Sequence, residues 1–260
     1  MSSVTKRISE IKQPRGGYIR PSQFDEHIID DGLILNENEN IHASIIGMAV
    51  DYLTRLVMGT AAVEAFKISC KGALRAEEVF NQKNAMITAF KLLSNIKGLD
   101  DRSIVNACKM VTYDVWLRNP KGAMLAKGVN EINPDKETIE NIRIMVKRSV
   151  TFWKLYGPII SVGFTFEPDG YTETVNTGDG DYLTSDTMWD FKVSKSKPTN
   201  KHTLQLLMYW IMGKHSGQKK YQNIRKLGMF NPRLNIVYTL GIWRISEETI
   251  QRVEKVVICY

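Results

Sequence analysis

The chain reads as an α/β protein in which a largely helical first half is followed by a mixed β-sheet flanked by helices. Three observations predict this. Apolar residues recur at helical spacing after residue 42, as in Ile45, Ile46, Ala49, Leu53, Leu56 and Val57. At Gly157-Pro158 the pattern changes to short β-branched or aromatic runs separated by turn residues. A helical segment at 200–213 then separates those runs from one more strand, and a meander followed by a helix and a returning strand builds a sandwich of sheet and helices.

Residues 1–20, polar and basic around Pro14-Arg15-Gly16-Gly17, are expected to form a flexible or loosely docked arm. Pro21-Ser22 opens a short predicted helix over 23–30. Further helices are expected at 42–58, 61–70, 75–95, 102–118 and 134–155, the last entered through Asn133-Pro134 as N-cap and first helical residue. Strands are expected at 159–167, 171–175, 180–183 and 188–193, an antiparallel meander. Its turns fall at Pro168-Asp169-Gly170, at Thr177-Gly178-Asp179 and at 184–187. A strand at 234–240 and a final helix capped by Ser246 complete the order. Residues 21–260 are expected as a single domain, helical over 21–155 and carrying the sheet and the site over 156–260.

With 260 residues and 43% hydrophobic content the chain can bury one substantial core. Cys70, Cys108 and Cys259 are scattered and odd in number, without zinc or iron-sulfur spacing, which fits a reducing cytoplasm. The opening residues carry no apolar run, and no stretch approaches the about 20 apolar residues that span a bilayer, so neither secretion nor membrane insertion is expected. The net charge of +7 is unevenly placed. Between Phe191 and Ser246 there is no Asp or Glu but eleven Lys and Arg, leaving 24 basic against 28 acidic residues elsewhere. A one-sign field of this kind attracts a polyanion, and nucleic acid is the obvious candidate.

The charge asymmetry begins at a candidate site. On a strand over 188–193, the period of two sends Trp189, Phe191 and Val193 to one face and Met188, Asp190 and Lys192 to the other. If 180–183 pairs with it through a turn centred on Ser185 and Asp186, Asp181 faces Asp190, with Cβ atoms about 5 Å apart. Facing carboxylates repel unless a cation lies between them, and Mg2+ or Mn2+ is the hard cation that oxygen ligands select. Lys192 beside them could orient or deprotonate an attacking water, as metal-dependent phosphodiester cleavage requires. An exposed acidic hairpin with one salt-bridging lysine is the plainer alternative. Gln205 and Tyr209, at i and i+4, share a helix face and can jointly reach substrate or a sheet residue, the plainer alternative for Tyr209 being a core aromatic with its hydroxyl satisfied.

These segments resemble, in order and in residues, the RecB-like branch of the PD-(D/E)XK nuclease superfamily over most of the chain. Pro21-Ser22-Gln23-Phe24 is similar to its Ser-rich opening, although the cysteine-proline often found a few residues on is missing. Gly178-Asp179-Gly180-Asp181 fits its Gly-x-x-Asp strand and Asp190-Phe191-Lys192 its Asp-hydrophobic-Lys strand. Gln205-Leu206-Leu207-Met208-Tyr209 fits its Gln-x-x-x-Tyr helix. The resemblance implies a restriction-endonuclease-like mixed sheet and a Mg2+- or Mn2+-dependent nuclease. Asp181 and Asp190 would be metal ligands, Lys192 would contact the attacking water and the scissile phosphate, and Gln205 and Tyr209 would complete the catalytic set.

The family usually carries a metal-binding histidine near the start of its first long helix, four residues after a glycine. Here Gly47-Met48-Ala49-Val50-Asp51 places Asp51 there, so Asp51 is the preferred third ligand and His42, two and a half turns earlier, the weaker one. An Asp51–Arg55 pair at i and i+4 is the structural alternative. Glu167 and Glu173 are lower-ranked acids, and His202 is expected to be solvated. The expected activity is deoxyribonuclease, exonuclease preferred over endonuclease. The alternatives are a catalytically inactive nucleic-acid-binding or partner-binding module of the same fold and a small-nucleotide phosphohydrolase. A homo-oligomer or a helicase or phage-related protein partner is compatible with the chain.

Overall fold

The computed structural model describes residues 2–260; Met1, where the expected arm begins, lies outside the described residues. Where the sequence suggests one domain after the arm, the chain divides into two compact units. One joins the residues up to Asp30 to Phe152–Tyr260, and the other is Asp31–Thr151.

The first unit opens on helix α1, Val4–Glu10, capped by the Ser3 hydroxyl, which accepts the Lys6 N–H at 3.2 Å. Val4 and Ile8 are buried in the main core, so this part of the expected loose arm is docked by its apolar face. A 3-10 turn at Pro21–Gln23 leads into strand β1, Asp25–Ile28, where the sequence suggests a helix over 23–30. The physical reason is that Asp25-Glu26-His27-Ile28 has no apolar stripe to bury. All four residues are exposed, and their backbone pairs with a sheet edge instead.

The second unit is helical. It contains α2 (Ala43–Val57), α3 (Ala62–Ala65), α4 (Lys67–Phe80), α5 (Ala85–Ser94), α6 (Asp101–Met110), α7 (Asp114–Arg118), α8 (Pro120–Ala123) and the first part of α9 (Lys136–Tyr156). The helix expected over 75–95 is interrupted because Asn81 and Asn84 take left-handed backbone conformations, φ 55° and 62°. Asparagine tolerates that region better than most residues. Asp114, 1% exposed, receives the Tyr52 hydroxyl at 2.6 Å and the Ser69 hydroxyl at 2.5 Å, tying α2 and α4 to α7. Burial raises the pKa of this carboxyl and, together with the charge of Asp114, that of the Tyr52 phenol.

In the first unit the chain continues from the end of α9 through β2 (Ser161–Phe164), β3 (Gly180–Leu183), β4 (Thr187–Phe191), α10 (Asn200–His215), β5 (Lys226–Asn231), β6 (Ile236–Gly241) and α11 (Glu247–Arg252), ending in a π-helical stretch, Val253–Ile258. The six strands lie in the order β1-β6-β5-β4-β3-β2. Only the β4–β5 pair is parallel among the described residues, so the sheet is mixed as expected. The expected strand at 171–175 is a loop, closed by Thr172 N–H to Val175 O at 3.0 Å. The strand expected over 159–167 is confined to β2. Beyond it the Thr165 carbonyl accepts from Gln218 Nε2 (3.1 Å) and the Tyr221 hydroxyl (2.6 Å) rather than from a neighbouring strand.

The sheet is covered on both faces. Phe152 and Trp153 of α9 pack on Tyr182, Trp189, Phe230 and Val237. Phe152 stacks on Phe230 with centroids 4.3 Å apart and 9° between the planes. Leu204, Leu207, Met208 and Ile211 of α10 pack with Leu183, Met188, Leu227 and Met229 in a second cluster. Glycine is needed at two close approaches. A Cβ on Gly228 would fall 2.3 Å from the Trp189 ring, and one on Gly180 would fall 2.0 Å from the Phe164 ring.

Candidate functional site

β3 and β4 form the expected hairpin. Tyr182 pairs with Trp189 and Leu183 with Met188, and the same register carried one step further sets Asp181 opposite Asp190. The turn is closed by Thr184 N–H to Thr187 O at 3.0 Å. The backbone N–H groups of Arg225 and Lys226 both donate to the Asp186 carbonyl, at 2.7 and 3.0 Å, so β5 fastens the turn from its other side. Trp189 lies in the cluster under α9 and Met188 in the cluster under α10, as strand alternation dictates. Asp190 therefore shares the α10 face with Met188.

Asp190 is 2% exposed. The Lys192 ammonium lies 3.0 Å from its Oδ1 and 2.8 Å from its Oδ2. The contact to Oδ2 is electrostatic only, since that atom, fully buried, accepts no hydrogen bond of acceptable angle among the described residues. Asp181 is held by its own hairpin, its Oδ2 accepting the Phe191 N–H at 2.8 Å. From α10, Gln205 offers Oε1 to the Lys192 ammonium at 3.2 Å and donates from Nε2 to the Tyr209 hydroxyl at 2.8 Å. Asp190, Lys192, Gln205 and Tyr209 thus form one continuous polar chain, set in a surround of buried apolar side chains.

The electrostatics follow from this burial. Desolvation alone would lower the Lys192 pKa, but the charges of Asp190 and Asp181 outweigh it and hold the ammonium above its ordinary value. Burial raises the Tyr209 phenol despite the hydrogen bond from Gln205, with Asp190 and Asp181 adding to the rise, so Tyr209 keeps its proton.

His202 belongs beside them, against the expectation of a solvated position. It is half-buried, and burial together with the Lys192 charge lowers its pKa. Its Nδ1 accepts the Thr199 N–H at 3.1 Å, which leaves the ring proton on Nε2. The signal was present in the sequence as the spacing of 202, 205 and 209, which puts three polar side chains on one helical stripe.

Asp51 and His42, the other two ligand candidates, bind local partners. Asp51, on α2 of the helical unit, binds Arg55 through both oxygens, Oδ1 to Nε at 3.1 Å and Oδ2 to Nη2 at 2.6 Å. His42 caps α2, its Nδ1 accepting the Ser44 N–H at 3.2 Å. Glu167 and Glu173 are exposed residues of loops. Among the described residues no three His, Cys, Asp or Glu side chains gather as a metal-binding group. Asp181 and Asp190 still fit a hard cation: both are carboxylates on the adjacent strands β3 and β4, both act on the Lys192 ammonium, and Asp190 Oδ2 has unused acceptor capacity.

Part of the basic segment after Phe191 is engaged with acidic residues outside it, Lys197 with Glu26 at 2.7 Å, Lys226 with Asp186 at 3.1 Å and Arg244 with Asp25 at 2.6 Å. Lys201, Lys214 and Lys219 form no ion pair among the described residues. No helix among the described residues is long and apolar enough to cross a membrane. In comparison with known proteins, no family model, no curated protein and no solved structure matches the chain.

Proposed function

We propose that the protein is a divalent-metal-dependent phosphodiesterase acting on DNA, with a sheet of the restriction-endonuclease-like kind and the residue pattern of the RecB-like nucleases. The observation that carries this reading is the pair of carboxylates Asp181 and Asp190 on the β3–β4 hairpin, with Lys192 bridging Asp190 to Gln205. The order of meander, crossover helix α10 and parallel strand β5 supports it.

Asp181 and Asp190 would hold Mg2+ or Mn2+. When bound, such an ion polarises a phosphoryl oxygen and lowers the pKa of a water. Lys192, held above its ordinary pKa by the charges of Asp190 and Asp181, would donate a hydrogen bond to the attacking water and offset negative charge developing on the phosphoryl oxygens. Gln205 fixes the ammonium from the helix side, and Tyr209 fixes Gln205 while its own hydroxyl proton remains available to an oxygen of the substrate. The burial of Asp190 and Tyr209 strengthens these interactions, while half-buried Lys192 and Asp181 leave the site open to substrate.

A second reading, a binding module of the same fold without turnover, is favoured by one observation. The Lys192 ammonium already neutralises Asp190 with no added cation. The two are separated by calorimetry with Mn2+ and by cleavage of linear, circular and single-stranded DNA. Binding that Asp190→Asn removes, with cleavage that Lys192→Ala abolishes, supports the enzyme. No Mn2+ binding by the unsubstituted protein sinks it. Attack on linear DNA with circles spared assigns exonuclease action.

A further inference from the structure

A cavity of about 310 Å³ lies between the segment 14–23 and α11, and none of the site residues just described lines it. Its wall carries three guanidinium groups, Arg15, Arg20 and Arg252, together with Gln23, Thr249 and a single acid, Glu248. No Leu, Ile, Val, Phe or Met among the described residues lines it, so an apolar ligand would find little beyond Pro14 and the Tyr18 ring.

Among the described residues these three arginines have no bonded anion. By contrast, Arg55, Arg148 and Arg244 each hold a carboxylate at 2.6–2.7 Å. Arg15, Arg20 and Arg252 are exposed, and among the described residues their side chains make neither an ion pair nor a hydrogen bond. Three guanidinium groups gathered against one carboxylate repel each other, and a planar fork of N–H donors is the arrangement that matches phosphate oxygens. The volume is near the lower end of ligand cavities, about 300–1,000 Å³, which suits a phosphate with its sugar rather than a large ligand.

The segment bearing Arg15 and Arg20 is fastened to the start of α10. Gln13 Nε2 donates to the Asn200 carbonyl at 3.2 Å, and the Thr203 hydroxyl donates to the Ile19 carbonyl at 2.6 Å. Thr203 is two residues before Gln205 on the same helix, and Lys201, which has no ion-pair partner among the described residues, is two residues before Thr203. We propose that this cavity anchors a backbone phosphate of a DNA strand whose scissile phosphate lies at Lys192, the strand passing over the first turn of α10. The inference rests on the proposed function for its ligand. It adds to that function an anchor outside the basic segment Phe191 to Ser246.

The test is fluorescence anisotropy of a labelled DNA duplex in the absence of divalent cation, across a salt series, with the full chain and Arg15→Gln, Arg20→Gln and Arg15→Gln/Arg252→Gln variants. Melting temperatures serve as the folding control. The double variant is expected to bind at least tenfold more weakly, and the slope of log K against log salt is expected to fall by about 0.9, the share of the one phosphate that the protein no longer neutralises. Unchanged affinity and slope overturn the anchor, whether or not the unsubstituted protein cleaves DNA. A parallel titration with inorganic phosphate separates a small-anion pocket. Phosphate binding removed by the substitutions while DNA affinity is kept also overturns the strand anchor. If the arginines control DNA binding but no condition yields cleavage, the anchor stands and the catalytic reading falls; if the unsubstituted protein binds no DNA, both fall.

Discussion

Lys192 closes on Asp190 from two positions further along the chain, its ammonium 3.0 Å from one carboxylate oxygen and 2.8 Å from the other. With Asp190 almost fully buried, each charge is tolerated because the other is there. Removing one partner of such a pair leaves an uncompensated charge and costs about 3–5 kcal/mol, whereas replacing both is far milder. Lys192→Ala is therefore expected to destabilise the fold by about 3 kcal/mol, and Asp190→Asn added to it is expected to recover most of that loss. Urea denaturation of both singles and the double checks this. Strictly additive single effects would show that the two side chains are energetically independent.

Under the proposed function, the ammonium and a divalent cation compete for the same carboxylate. Lys192→Met should then bind Mn2+ several-fold more tightly than the unsubstituted protein while losing cleavage. Calorimetry and a cleavage assay on the same preparation read the two effects. Weaker Mn2+ binding in Lys192→Met would mean that Lys192 helps to hold the cation site together.

The aromatic layer beneath the sheet carries much of its packing. Phe152 is fully buried, stacks on Phe230 at 4.3 Å and on Tyr156 at 4.9 Å, and meets Trp189 edge-on at 4.9 Å. Truncation of such a ring typically costs about 3–5 kcal/mol, cavity included. Phe152→Ala should lower the urea midpoint accordingly, while Phe152→Leu should recover part of the loss. An effect under about 1 kcal/mol for the alanine variant would mean that the neighbouring rings collapse into the space.

In the helical unit, hydrogen bonds from the Arg148 guanidinium hold the Asp31 carboxyl below its ordinary pKa of 3.8, with Nε to Oδ2 at 2.7 Å. A folded-state pKa below the unfolded one gives stability that is present above pH 3.8 and is lost as pH falls through the folded value. Asp31→Asn should melt below the unsubstituted protein at pH 7, and the difference should shrink as the pH falls below 3.8. A constant gap across that range would assign the loss to packing and not to charge.

Much of the hairpin was legible in the sequence because strand alternation and a two-residue turn leave few choices. Once Trp189 and Phe191 are assigned to the apolar layer, Asp190 and Lys192 must share the other face, and a turn at Ser185 and Asp186 fixes Asp181 opposite Asp190. The Gln205–Tyr209 pair was readable for the same reason, helical spacing. What was not readable depended on partners distant in sequence. The segment 23–30 looks helical until β6 offers its edge, and Thr165 looks like strand until Gln218 and Tyr221 take its carbonyl. Val4 and Ile8 appear too sparse to dock an arm, yet they reach a core assembled from residues more than 150 positions later. Asp51 shows the limit of motif spacing. Its place after Gly47 suggests a ligand, whereas the local i, i+4 chemistry gives it to Arg55.

β4 has a neighbour on each side, antiparallel β3 and parallel β5, and its turn is fastened by the Asp186 carbonyl. Its backbone amides can meet solvent only when the sheet opens as a whole, so hydrogen–deuterium exchange at Trp189 and Asp190 should run at the rate of global unfolding. The spacing of the two carboxylates is thus set when the chain folds. Under the proposed function, a cation or a strand of DNA would meet a hairpin that is already ordered.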